Sequence, residues 1–176
     1  PLIEAAEEYF DWERQQVLTA LEKKRRAWRL EIDISVGDLL NMVRAAQELI
    51  DRLNEPMINA IQEGFESGLL RIDADGPPFD PQAPGVQEVV SQVQDVLEEV
   101  PKTSRARLSE IITDGYAEGK DLDTVIDGVQ DLYQGSTDDE DGMGRQRAKT
   151  IARTTSTAAF ERGQLHSFRR NDIQAK

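Results

Sequence analysis

An all-α fold, elongated and built of about six helices around a proline-rich break, is what this chain predicts, on three observations. Apolar residues return every three or four positions along most of its 176 residues. The interruptions are clusters of Pro, Gly and acids, which punctuate helices. Period-two alternation is confined to Leu30–Ile34, five residues that read as a short strand or an extended crossing.

The first helix is expected from Leu2 to about Arg29. Ile3, Phe10 and Val17 are spaced by seven, with Ala6, Leu18, Leu21 and Trp28 in the same stripe. Its acids (Glu4, Glu7, Glu8) come first and its bases (Lys23, Lys24, Arg25, Arg26, Arg29) last, as the helix dipole favours. Asp38 is a candidate N-cap for a helix from Leu39 to Leu53, with Leu39, Leu40, Val43, Ala46, Leu49, Ile50 and Leu53 on one face. Pro56 is expected to break it and start another from Met57 to Leu69, burying Ile58, Ile61, Phe65 and Leu69. Gly64 and Gly68 either admit a neighbouring helix or fray this one, and fraying is the reading taken.

Residues 73–85 hold four prolines and two glycines and form the expected linker, with Phe79 anchoring it on a helix. It divides an N-terminal helical region (1–72) from a C-terminal one (86–176). Val86, Val89, Val90, Val93, Val96, Leu97 and Val100 mark the next helix, which Pro101 stops or kinks. Thr103 or Ser104 caps a helix to Gly115, and Asp121 or Asp123 caps one carrying Leu122, Val125, Ile126, Val129, Leu132 and Tyr133. A flexible acidic loop is expected at 135–144. The last helix begins near Arg145 and passes Ile151, Ala152, Thr155, Ala158, Ala159 and Leu165.

An apolar fraction of 38% and an aromatic fraction of 6% imply modest cores, or cores completed by partners. There is no cysteine, which excludes disulfides, thiolate metal sites and thiol nucleophiles, and one histidine, His166, which excludes a multi-histidine metal site. No apolar run is long enough to span a membrane. The start at Pro1 suggests a fragment, a processed product or the ordered part of something longer. The net charge of −13 is uneven: residues 30–144 carry seven bases against 26 acids, and residues 145–176 carry eight bases against two acids. A basic tail behind an acidic body folds back, pairs with another copy or meets nucleic acid. Fifteen of the 21 bases are arginine, a balance that suits a surface working in high salt or a GC-rich coding bias.

No catalytic or metal site emerges. An EF-hand count from Thr137 puts Asp139, Asp141 and Gly142 in register but ends on Ala148, and a count from Asp73 ends on Pro84. Gly142-Met143-Gly144 is no phosphate loop. His166, beside Gln164, Ser167, Arg169 and Arg170, reads as a solvated helix end without a nucleophile to serve. No cofactor is expected. The better candidates for binding nucleic acid or a partner are Arg145, Arg147, Lys149, Arg153, Arg162, Arg169 and Arg170, since arginine grips phosphate through a rigid fork. The offsets of Arg145, Arg153, Arg162 and Arg169 are read as compatible with one face, whether for phosphate or for an acidic helix.

The order Arg147-Ala148-x-x-Ile151-Ala152-Arg153-Thr154, followed by an alanine-rich turn and Gly163, resembles the signature of the Mu F-type phage head morphogenesis proteins, minor head proteins associated with the portal. The resemblance extends over roughly residues 38–170 through Leu53-Asn54-Glu55-Pro56, Phe79-Asp80-Pro81, Thr103-Ser104 and Gly115-Tyr116-Ala117-Glu118-Gly119-Lys120. Thr155 stands where that family usually has glutamate, and the smaller α+β portion that usually follows is not found before Lys176.

The resemblance implies a non-enzymatic structural component of the virion of a tailed bacteriophage or archaeal virus. It would sit inside the head at the portal vertex, and in host cytoplasm during assembly, acting in head assembly, DNA packaging or DNA ejection. Its implied partners are the portal protein, and further copies of itself, the major capsid protein and packaged DNA; a membrane is not among them. The rival expectations are a nucleic-acid-binding helical module using the basic last helix, a C-terminal extension of a portal protein, and a delivered enzyme or toxin.

Overall fold

The computed structural model describes residues 1–29, 35, 37, 39–72, 76, 78–134 and 143–170, and for Arg29, Met143 and Arg170 it describes the helix backbone alone. The alternation at Leu30–Ile34, the cap at Asp38, most of the acidic loop and residues 171–176 lie outside that description. Seven helices and no strand occupy the described residues: α1 (Leu2–Lys23), α2 (Arg25–Arg29), α3 (Met42–Arg71), α4 (Pro84–Leu97), α5 (Val100–Ala117), α6 (Leu122–Gln134) and α7 (Met143–Arg170). The all-α expectation holds.

Several boundaries differ for physical reasons. The expected first helix is interrupted at Lys24, so its end is the separate turn α2, docked where Trp28 Nε1 donates to the Lys120 carbonyl at 3.1 Å and its ring meets Tyr116 edge-on. Asn41 is the N-cap of α3, accepting from the Arg44 N–H at 3.0 Å, and this later start leaves Val43 82% exposed and puts Ala45 inside. Pro56 does not divide α3, which runs 30 residues through it. Proline deprives the Arg52 carbonyl of its helical donor, but Leu53, Met57, Ala60 and Ile61 around it are all buried, and that packing carries the helix across. Pro84 and Pro101 stand instead in the first turns of α4 and α5, where the missing N–H has no cost. The linker therefore gives way to helix at 84 rather than after 85, and Thr103 and Ser104 lie within α5 rather than capping it. Asp121 does cap α6, accepting from Thr124 N–H at 2.8 Å. Gly119, at φ +66°, closes α5 as a Schellman turn, with Lys120 N–H on the Gly115 carbonyl and Gly119 N–H on Tyr116.

The packing seam has its own period. Buried positions on α3 run Leu49, Leu53, Met57, Ala60, Gly64, Gly68, and on α7 Ala148, Ala152, Thr155, Ala159, Gly163, Ser167. Both α3 and α7 repeat over eleven residues, as does α1 through Ala6, Phe10, Val17 and Leu21. A period of about 3.67 drifts oppositely to a heptad. That is why the expected seven-residue series fails at its first member: Phe10 and Val17 are inside, while Ile3 is 48% exposed.

On α7 the seam residues are all small, and on α3 the glycines face them. A Cβ on Gly64 would lie 2.0 Å from the Phe160 carbonyl oxygen, one on Gly163 2.2 Å from that of Ile61, and one on Gly68 2.0 Å from Ser167 Oγ. The two helices therefore pack backbone against backbone, and Gly64 and Gly68 serve close approach, not fraying. Around this seam lie two apolar clusters. The larger gathers Tyr9, Leu21, Leu49, Leu108, Val125 and Ala148, drawing on both sides of the proline-rich segment. The smaller lays Val86, Val90 and Val93 of α4 over Met57, Ile61 and Ala159, with Phe79 held 5.8 Å from the Phe65 ring.

Substituting alanine at Gly64 or Gly163 is expected to destabilise the fold by about 1–3 kcal/mol or more, because the obstacle is backbone that cannot step aside. Gly128→Ala, whose Cβ would meet only Ile111 Cγ2 at 3.4 Å, is expected to be neutral or to stabilise by up to about 1 kcal/mol. Urea denaturation followed by circular dichroism ranks the three.

Candidate functional site

The expected site residues all belong to α7, and the helix presents them to different surroundings. Arg147 points inward. Its Nη1 donates to Ser104 Oγ and its Nη2 to the Val100 carbonyl, both at 2.8 Å, and its guanidinium lies 5.2 Å from the centre of the Phe10 ring. Through Ser104 it is joined to Glu13, whose carboxyl on α1 is fully buried. Tyr9 donates to one Glu13 oxygen at 2.8 Å and Tyr133 to the other at 3.0 Å, and the Ser104 hydroxyl also bonds the carboxyl. This polar cluster joins α1, α5, α6 and α7 in an otherwise apolar core.

Burial pushes the Glu13 carboxyl up from its ordinary range, and the hydroxyls of Ser104, Tyr9 and Tyr133 and the charge of Arg147 only partly offset it. Burial likewise lowers Arg147, against the pull of Glu13, and raises both tyrosines, reinforced by the same carboxylate. A carboxyl, a guanidinium and three hydroxyls in a dry site hold each other in place. Each has its valences met by protein, which is the condition for burying such groups at all.

The remaining described bases do not share one surface. Arg145 is exposed, 3.5 Å from Glu7. Lys149 and Arg153 edge a groove of about 490 Å³ between the start of α1, the middle of α3 and α7, floored by Leu2, Pro56, Ala60 and Ala152. Arg162 and Arg169 line a separate cavity against α4. The single-face reading fails because nine residues of helix turn through about 180° between Arg153 and Arg162. The Arg170 side chain lies outside the description. In the rest of the signature, Ala148, Ala152 and Gly163 belong to the seam, Ile151 is half-buried beside the larger cluster, and Thr154 is exposed.

Two features escaped the sequence reading. Glu13 occupies a seam position between Phe10 and Val17, and an acid in the middle of an apolar stripe was the available signal. His166 is not a solvated end: it is half-buried, 5.9 Å from the Phe65 ring, in space left by Gly85. Among the basic residues of the first helix, Arg25 bonds Glu22 and Asp123, a structural use that needs no nucleic acid. No helix among the described residues is long and apolar enough to cross a membrane. Compared with family models, curated proteins and solved structures, the chain matches none.

The sign of the Glu13 effect is testable. A raised carboxyl keeps its proton in the folded chain over a pH range in which the unfolded chain releases it. Its contribution to stability is complete below the ordinary value of 4.5 and is lost as pH rises through the raised value. The stability of the wild type minus that of Glu13→Gln should therefore fall with rising pH, as measured by urea midpoints from pH 4 upward; a difference that rises would contradict it. Arg147→Met, which leaves the buried Val100 carbonyl and Ser104 Oγ without this donor, is expected to cost about 1–3 kcal/mol at neutral pH.

Proposed function

We propose that the chain is a structural, portal-associated head morphogenesis protein of a tailed virus, acting by binding and not by chemistry. The observation that carries this reading is the use made of the signature run. Arg147 anchors the buried cluster, and Ala148, Ala152 and Gly163 form the small face on which α3 rests. Residues that carry the resemblance thus pack as one structural unit, which supports reading them as a motif. The strong acidity of the body and the lean core suit a part that works within a larger assembly.

In this reading the portal protein meets apolar side chains left on the surface, among them Val43, Leu70 and Val96, which are 82%, 83% and 55% exposed. Arg145 and Arg153, outward on α7, face packaged DNA or acidic partner surfaces. Arg147 is withdrawn from that role.

Capture of the portal protein of the same genome by the purified chain, at matched ionic strength, tests the assignment. Wild type and Arg145→Ala/Arg153→Ala should both retain portal, while any duplex DNA binding falls and loses salt dependence in the variant alone. Failure of both proteins to capture portal removes the assignment and leaves a helical module of other use.

A further inference from the structure

The cavity between α4 and the last turns of α7 lies apart from the buried Glu13 cluster and from the groove beside Arg153. It is a half-open recess of about 400 Å³, walled by Gly85, Glu88 and Gln92 on one side and Arg162, His166 and Arg169 on the other. Spacings of four and three put these last three on one face of α7. Arg162 Nη1 is enclosed and has no hydrogen-bond partner among the described residues. A guanidinium N–H shut away from both water and an acceptor is costly, and native structures rarely leave one so. The acid on the cavity wall, Glu88, does not answer it: Gln92 Nε2 donates to its Oε1 at 3.3 Å.

A second observation concerns the shape of the wall. A Cβ at position 85 would come within 2.4 Å of His166 Cε1, so the imidazole occupies room that only glycine leaves. The ring is thereby drawn in beside Arg162, at the positive N-terminal end of the 14-residue α4. Two guanidinium groups, an imidazole and a helix N-terminus thus border one half-open recess, and the guanidinium of Arg162 in its wall keeps an unanswered donor. Their common complement is a compact oxyanion with several acceptor oxygens, and a guanidinium fork fits phosphate in two-point fashion.

We propose that this cavity is a phosphate-binding site, holding one phosphate group that is either a free anion or part of a polynucleotide backbone. Arg162 supplies the inner contact through its guanidinium fork, Arg169 the outer charge, and His166 a ring held in position by Gly85. The site is independent of the portal assignment, and neither result decides the other.

The test is titration of the full chain with inorganic phosphate and, separately, with a short DNA duplex. It is read by calorimetry and by the NMR signals of the Arg162 side-chain Nε–H and the His166 ring. Saturable shifts at both residues are expected. Arg162→Gln should weaken binding about tenfold or more, the loss of one charged hydrogen bond, and Glu88→Gln should tighten it. Gly85→Ala, which changes no charge but fills the space of the ring, should weaken binding as well. If Arg162→Gln proves poorly folded, the Gly85 and Glu88 variants decide. Shifts with phosphate alone assign a small anion, and shifts with duplex at the same residues assign a backbone phosphate. Silence in both arms, or binding indifferent to the variants, overturns the site.

Discussion

The rest of this structure depends on how closely α3 and α7 approach. Their backbones meet because Gly64, Gly68 and Gly163 carry no Cβ at the points of contact and because α7 offers only small side chains there. In water such a contact gains little from buried apolar area at the seam itself. Its effect is to bring the flanking faces within reach of one another, so that α4 on one side and α1 on the other can each close a cluster over the pair. A chain this poor in aromatic residues makes a core from precise approach rather than from bulk. The long, proline-bearing α3 survives for the same reason, since continuous packing outweighs one missing hydrogen bond.

The polar cluster follows from that geometry. Fixing α7 along α3 brings Arg147 to the level of Glu13, beside the hydroxyls that complete it. A buried polar cluster of this kind adds little net stability compared with apolar side chains of the same size. It does discriminate between arrangements, because α1, α5, α6 and α7 satisfy one another's buried groups only in this register.

Much of the fold was legible beforehand. Spacing of apolar residues found the long helices, and Asp121 and Phe79 behaved as their chemistry indicated. What was missed shares a cause: local rules were overruled by tertiary contact. Pro56 has the grammar of a break, yet neighbours on both sides are buried; Gly64 and Gly68 have the grammar of fraying, yet they face another backbone. The eleven-residue period was hidden by a coincident run of seven at Ile3, Phe10 and Val17. The site was less legible than the fold. Arginines were read as surface charge because nothing local reveals partners as distant in sequence as Val100 and Ser104 are from Arg147, and Glu13, at the centre of the same cluster, was one acid among 34. Angular placement on α7 needed only arithmetic, and it separates Arg153 from Arg162.

The most direct test of the central claim is native-state hydrogen exchange at the α3–α7 seam. If the close approach organises the fold, amides at Ile61–Gly68 and at Phe160–Gly163 should exchange only through global unfolding, sharing one opening free energy with the slowest amides of α1. Exchange of the second half of α7 through a low-energy local opening, while α1, α5 and α6 stay protected, would contradict it.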